Sequence, residues 1–221
     1  MPHFQNSFGQ GFKTETHLIF FGGVGSSTEN LKTHFPELQF LRVKQIHSSL
    51  VVEAAPLPVD ADAHFTDRLN TALVIATADC IPMMIFCRQT NRVAAIHAGW
   101  RGVVGKIAQN TLQKLIESGS SKRDFEFYIG PHIMQNSFEI SEDVYSVISE
   151  AQPLVPDASY AKDDKFYVNL KMLINLQVEE IMQKKVFIES IDIDTKTDTK
   201  FYSYRRGKHS SERNLSFIAL L

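Results

Sequence analysis

Cysteine is nearly absent. Cys80 and Cys87 are the only two in 221 residues, so at most one bridge could form and a disulfide framework is excluded. The two sit within or close to one apolar run, where side chains of a strand do not face each other for pairing. An excess of one charge is lacking as well: 23 basic against 25 acidic side chains leave a formal charge of -2, and no overall positive field recruits nucleic acid or anionic lipid. No apolar run approaches the ~18 residues of a membrane span. The start, Met1-Pro2-His3-Phe4-Gln5-Asn6, lacks the basic and apolar regions of a signal peptide. The expectation is a cytoplasmic protein with neither nucleic acid nor a membrane as partner. Repeats, low-complexity tracts and Gly/Ser linkers are missing too, which leaves one domain over residues 1–221, and 43% hydrophobic residues suffice to fill its core.

What is there reads as alternating strand and helix signals. Leu41-Arg42-Val43-Lys44 alternates, Leu50-Val51-Val52 follows, and Leu73 to Ala76 and Met83 to Cys87 are continuous apolar runs suited to strands buried on both faces. Val93 to Ile96 adds another. Helices are predicted from about Arg101 to Ser118, where Val104, Ile107, Leu112, Leu115 and Ile116 make one stripe, and over Glu142 to Glu150 and Asn169 to Lys184. Ala151 to Asp164, with Pro153 and Pro156, reads as a surface loop. Val186 to Ile188, Phe201 to Tyr204 and Leu215 to Leu220 close the chain as strands. Phe20 to Ser27 reads as a strand running into a glycine turn, although such a loop also serves for phosphate. Strands and helices mix without a regular βαβ rhythm, so the fold class is α+β, with mixed sheets in layers flanked by helices.

Three residues carry the chemistry: His47, Cys80 and His97. Two imidazoles and a thiolate suit a transition metal, and three protein donors leave a coordination position open. Arg88-Gln89-Thr90-Asn91 is a polar connection of turn length, implying an antiparallel hairpin. Pairing Cys87 with Arg92 places His97 opposite Pro82 and Cys80 opposite Gly99, so Cys80 and His97 become diagonal neighbours on one face. Pro82 fits only a strand start or edge, which keeps Cys80 at a rim. His47 lies on a separate strand end, and only the tertiary fold can deliver it. The same residues also read as a buried structural thiol and two hydrogen-bonded imidazoles. A helix starting near Trp100 or Arg101 would aim free amides at the same end of the hairpin, and Arg101 in its first turn fits either an anion or a surface salt bridge. Gly99 and Gly102 fit either close backbone approach or plain packing.

In order along the chain, Gly22-Gly23-Val24, Gln45-Ile46-His47, Asp60-Ala61-Asp62-Ala63, Thr77-Ala78-Asp79-Cys80, Ala95-Ile96-His97-Ala98-Gly99-Trp100-Arg101-Gly102, Ile129-Gly130-Pro131, Phe138-Glu139-Ile140 and Phe201-Tyr202-Ser203-Tyr204-Arg205-Arg206 resemble the bacterial laccase-domain family. Its members were first labelled polyphenol oxidases and are now described as purine nucleoside phosphorylases with accompanying adenosine deaminase activity. The family's metal-binding His, Cys and His fall on His47, Cys80 and His97, with zinc or copper as the implied ion. Ser48 stands where the family usually shows glycine, His132 and Ser137 where cysteines are often seen, and Asp194-Thr195 where a Cys-Thr pair is common. The arginine often found before the early Gly-Gly is missing beside Phe20 and Phe21.

The resemblance implies phosphorolysis of adenosine, inosine and methylthioadenosine to free base and ribose 1-phosphate, together with adenosine deamination. Purine nucleosides and phosphate are then the partners, and the protein is expected as a monomer or weak homodimer. Arg101 and one of Arg205 or Arg206 would hold phosphate, since successive strand residues point to opposite faces. Tyr202 and Tyr204 share a face and fit either base stacking or core packing. A fold similar to that of the cytotoxic necrotizing factor deamidases raises a second class, a cysteine hydrolase or deamidase with Cys80 as nucleophile and His97 as base. A copper-dependent polyphenol oxidase is the third. Multicopper sites draw on more histidines, commonly in His-x-His pairs, whereas this chain has 8 and no such pair. A metal-dependent binding module is the non-enzymatic reading.

Overall fold

The computed structural model describes residues 3–207 and 211–221. Strands are numbered along the chain. One six-stranded sheet runs β1 (His3–Asn6), β2 (Gly9–Lys13), β3 (His17–Gly22), β15 (Asn214–Leu220), β7 (Thr71–Thr77), β4 (Gln39–Arg42). A second runs β14 (Ile188–Ser190), β10 (Phe125–Ile129), β8 (Ile81–Cys87), β9 (Arg92–Ala98), β6 (Ala63–Thr66), β5 (Val51–Glu53). Both are mixed: β4 with β7, β5 with β6 and β10 with β14 are parallel pairs among antiparallel ones. A small third sheet joins β11 (Glu139–Ile140), β13 (Lys165–Val168) and β12 (Ser159–Lys162).

The apolar patterning explains how these elements stack. Phe21, Ile75 and Ile218 of the first sheet meet Met84, Phe86 and Ala95 of the second in a shared core. The opposite face of the second sheet, with Met83, Ile85 and Ile96, packs on Leu112 and Leu115 of α3 (Ile107–Glu117) and Leu173 and Ile174 of α5 (Leu170–Met182). The outer face of the first sheet, with Phe20, Val74 and Phe217, is covered by Leu31 of α1 (Thr28–His34). Helix, sheet, sheet and helices therefore form four layers, and the central strands are buried on both sides. That burial is why Leu73 to Ala76 and Met83 to Cys87 are apolar without alternation. The layered α+β class is the one expected.

Helices α4 (Glu142–Ala151) and α5 lie where periodicity placed them. The predicted helix from Arg101 to Ser118 is two: α2 (Trp100–Val104) and α3, broken at Lys106, whose φ is 61°. Gly105, just before the break, packs where a Cβ would lie 2.8 Å from that of Ser49. The stretch from Ala151 to Asp164 is only partly a loop, because β12 turns into β13 through Asp163 and Asp164 at φ 49° and 56°. Acidic residues tolerate this left-handed turn better than most. Phe201 to Tyr204 is not a strand. Tyr204 opens α6 (Tyr204–Gly207), and the Arg206 guanidinium donates to the carbonyls of Thr195, Lys196, Asp198 and Phe201, gathering the segment into a compact turn. The strand expected at Val186 to Ile188 slides to Ile188–Ser190. Pro82 sits one residue inside β8, which is an interior strand, so the strand start rather than an edge accommodates it.

The break at Lys106 is testable. Lys106→Gly removes a left-handed Cβ penalty and should leave stability unchanged or raise it by up to about 1 kcal/mol. In a continuous helix the same change costs about 1 kcal/mol. An unfolding free energy from urea titration that falls by that amount would contradict the break.

Candidate metal centre

The site is built from strand ends. In the β8–β9 hairpin Pro82 pairs with His97 and Cys87 with Arg92, the register the turn length implied. Cys80 immediately precedes β8, and His97 is the penultimate residue of β9. By strand alternation His97 shares the face of Val93 and Ala95, the one turned toward the first sheet. His47 arrives from elsewhere: it lies in the link between β4 of the first sheet and β5 of the second, as Cys80 lies in the link between β7 and β8. Both links cross between sheets at the same end of the sandwich, and the crossing brings the three side chains together. Their ligand atoms lie within 4.8 Å of one another, and the His47 and His97 rings meet edge-on with centroids 4.9 Å apart. Gly99 makes room for the sulfur. A Cβ there would stand 2.9 Å from Cys80 Sγ and 3.4 Å from His47 Cδ2, so close approach is the reason for this glycine.

Asp62 stands behind the trio, wholly shielded from water. Its carboxylate accepts from His97 Nδ1 at 2.8 Å and from the N–H groups of Ile46, His47 and Ser48. Burial pushes the Asp62 carboxyl up, but these bonds from His97 and Ser48 outweigh it and hold the group at about 2. Burial pushes His97 down, while Asp62 and Cys80 on either side raise it to about 9. The Cys80 thiol, raised by burial, is pulled down to about 6 by hydrogen bonds to and positive charge on His47 and His97. In the metal-free protein these contacts favour a Cys80 thiolate beside a protonated His97.

These residues open into a cavity of about 580 Å³, within the size range of small-molecule sites. Trp100, Phe138 and Tyr204 supply aromatic walls, and Arg101, Arg205 and Arg213 supply cations. The Arg101 guanidinium lies over the Trp100 ring at 4.5 Å and that of Arg205 over Phe138 at 5.3 Å. Arg205 Nη1 also donates to the Glu139 carbonyl at 2.6 Å. Arg206 does not line the cavity, since its guanidinium is committed to the four carbonyls that shape its own turn. Tyr202 and Tyr204 share no strand face: Tyr202 is held by Asn214 and reaches the Gly25 N–H, away from the cavity. Asp79 is a cavity residue with structural bonds, accepting from the Thr195 hydroxyl at 2.7 Å and the Arg205 N–H at 2.9 Å. The Glu139 side chain turns instead to Lys165 and Tyr167 on the small sheet.

Two polar cavity residues, Arg213 and Gln45, were given no role from the sequence. Arg213 precedes β15, whose Asn214 pairs with Thr77, and this long-range register carries it to the Asp79–Cys80 link. The Gln45 amide locks the His47 link to β7, donating to the Ala76 carbonyl and accepting its N–H, each at 2.8 Å. The helix dipole expected to assist an anion is small, since α2 has only five residues.

Thiolate and imidazole donors suit zinc or copper, and the three donor atoms already converge to within 4.8 Å of one another. Among the described residues no other group of three or more such donors occurs. Fold and site together define an α+β protein with a candidate mononuclear metal centre facing a cavity for a small organic ligand. The chain belongs to the family described as multi-copper polyphenol oxidoreductase laccase, whose model matches residues 25–221. It is 30% identical over 192 residues to a purine nucleoside phosphorylase of Clostridium acetobutylicum, covering 86% of this chain and 80% of the relative. It is 27% identical over 220 residues to one of Rickettsia prowazekii, covering 93% and 88%. Among solved structures, a Neisseria meningitidis protein superposes with a TM-score of 0.79 at 27% identity, covering 94% of this chain and 95% of that one. YlmD from Geobacillus stearothermophilus shares the fold with a TM-score of 0.86 over 98% of each chain, at 18% identity.

The depressed Cys80 value fixes an outcome for the metal-free protein. Its thiolate persists above about pH 6 and is lost as the pH falls through that value, whereas an ordinary thiol titrates near 9.0. The rate of iodoacetamide alkylation at Cys80 should rise with a midpoint near pH 6. A midpoint above pH 8 would contradict the ion pair.

Proposed function

We propose that this chain is a metal-dependent purine nucleoside phosphorylase, cleaving adenosine, inosine and methylthioadenosine with phosphate and also deaminating adenosine. The observation that carries the reading is the union of a His47–Cys80–His97 donor set with arginines and aromatic rings in one cavity. Relatives that cover most of this chain bear the name purine nucleoside phosphorylase, which supports the same class.

In phosphorolysis, a phosphate oxygen attacks the anomeric carbon while the glycosidic C–N bond breaks, and its electron pair departs with the purine, which takes up a proton. Phosphate must be desolvated and held in line, and negative charge grows on the base. Arg205 is the main anchor: one guanidinium nitrogen is used on Glu139, and among the described residues no other hydrogen bond engages its fork, which would turn to oxyanions. Arg101 and Arg213 complete the cationic wall. Trp100, Phe138 and Tyr204 offer π-faces for the base, and the adjoining arginines favour an electron-rich ring. His47, Cys80 and His97 would hold zinc or copper, which supplies Lewis acidity toward a substrate oxygen or a water. Deamination would replace the exocyclic amine of adenosine by a water oxygen, with ammonia leaving.

A second reading has its own observation. Cys80, His97 and Asp62 stand in the order nucleophile, base and orienting carboxylate of a cysteine hydrolase. Copper oxidation of phenols is disfavoured by one mononuclear donor group among the described residues and by the absence of His-x-His pairs.

Metal analysis combined with a phosphate-dependent nucleoside assay separates these. Wild type should hold about one ion and need phosphate, and Cys80→Ala should lose the ion and at least about 100-fold of kcat/KM. Arg205→Ala should raise the KM for phosphate by about tenfold or more, as losing a charged hydrogen bond implies. Base release without phosphate, or an active metal-free enzyme killed by one equivalent of iodoacetamide, would favour the hydrolase instead.

A further inference from the structure

We infer that Asp62 is the positioning residue of this centre, selecting the His97 nitrogen that faces the cavity while pinning the His47 link beside it. The inference rests on the metal-site reading above and deepens it.

Asp62 immediately precedes β6 and is 0% exposed. Its Oδ1 accepts from His97 Nδ1 at 2.8 Å and from the His47 N–H at 3.1 Å. Its Oδ2 accepts from the Ser48 N–H at 2.6 Å, the Ser48 hydroxyl at 2.7 Å and the Ile46 N–H at 3.2 Å. The backbone joins in, since the His97 N–H donates to the Asp62 carbonyl at 2.8 Å. Three consecutive amides of the His47 link thus converge on one group, and His47 itself takes a left-handed φ of 58° within that convergence. One carboxylate therefore bonds two of the three donor residues directly.

Ring chemistry follows from acceptor capacity. An ionised carboxylate only accepts, so the His97 nitrogen facing it must carry hydrogen, and the lone pair of the neutral ring is left on Nε2. Such carboxylate–histidine pairing fixes tautomer and ring plane at metal sites. Asn at position 62 has the same shape but a donor in place of one acceptor. If its oxygen serves the Ser48 side, its NH₂ confronts His97 Nδ1 and drives the proton to Nε2, removing the lone pair. Turned the other way, it confronts Ser48 and releases the His47 link. Neither orientation satisfies both halves.

The test compares zinc affinity of wild type, Asp62→Asn and Ser48→Ala by competition with a chromophoric chelator, with circular dichroism melting of the metal-free proteins as the fold control. Asp62→Asn should bind zinc about 10- to 100-fold more weakly, and Ser48→Ala, which keeps the carboxylate–His97 bond, should lose less than about tenfold. Long-range ¹H–¹⁵N spectra of zinc-loaded wild type should show the His97 proton on Nδ1 and the metal shift on Nε2, which decides the matter even if Asp62→Asn does not fold. Equal zinc affinity in a folded Asp62→Asn, or zinc on Nδ1, overturns the inference. A wild type that binds neither zinc nor copper overturns the metal reading itself, a separate and distinguishable result.

Discussion

A charge removed from water must be met by donors, and in this protein one such charge organises the surroundings of the candidate centre. The Asp62 carboxylate is enclosed by the His47 link on one side and the His97 ring on the other, five donors in all, from residues distant along the chain. Breaking any of them would leave a buried polar group unanswered, so the link and the ring are held in mutual register. The same carboxylate favours positive charge on His97, which in turn favours the Cys80 thiolate. A chain of three ionisable groups thus runs from the interior to the cavity, each setting the state of the next.

That chain needs a rigid frame, and the two packed sheets supply it. Their facing sides are filled by Phe21, Ile75, Ile218, Met84 and Phe86, all buried, which leaves little freedom for strand ends to drift. The cavity forms at the end where β4 passes to β5 and β7 passes to β8, so its lining comes from links rather than from strand interiors. Arg205 and Arg213 reach it from the C-terminal part of the chain because β15 is inserted between β3 and β7. Tyr204, Arg205 and Arg213 are thereby brought to donors that lie more than a hundred residues earlier.

Much of this was legible in the sequence wherever the controlling interaction is local. The four residues from Arg88 to Asn91 set the hairpin register, and with it the diagonal placement of Cys80 and His97. Continuous apolar runs marked the doubly buried strands, and helical periodicity marked α4 and α5. Local reading failed where a distant partner overrode pattern. The aromatic run Phe201 to Tyr204 has strand composition, but Arg206 binds four carbonyls and curls it into a turn, so Arg205 and Arg206 part ways for a reason unrelated to strand alternation. The stripe from Arg101 to Ser118 is helical in period, yet a left-handed Lys106 splits it beside the Gly105–Ser49 packing. Asp62 gave no local sign of its role, being 15 residues from His47 and 35 from His97.

The sequence by itself determined the donor types, the strand and helix vocabulary and the pairing of Cys80 with His97, because turn length and side-chain alternation are properties of neighbouring residues. Only the tertiary structure decided that His47 completes the trio, that Asp62 lies behind it, and that Arg205 and Arg213 face the cavity while Arg206 does not. Those placements depend on two sheets packing face to face and on links that cross between them, and the geometry of a crossing is set by the whole core rather than by the residues that make the turn.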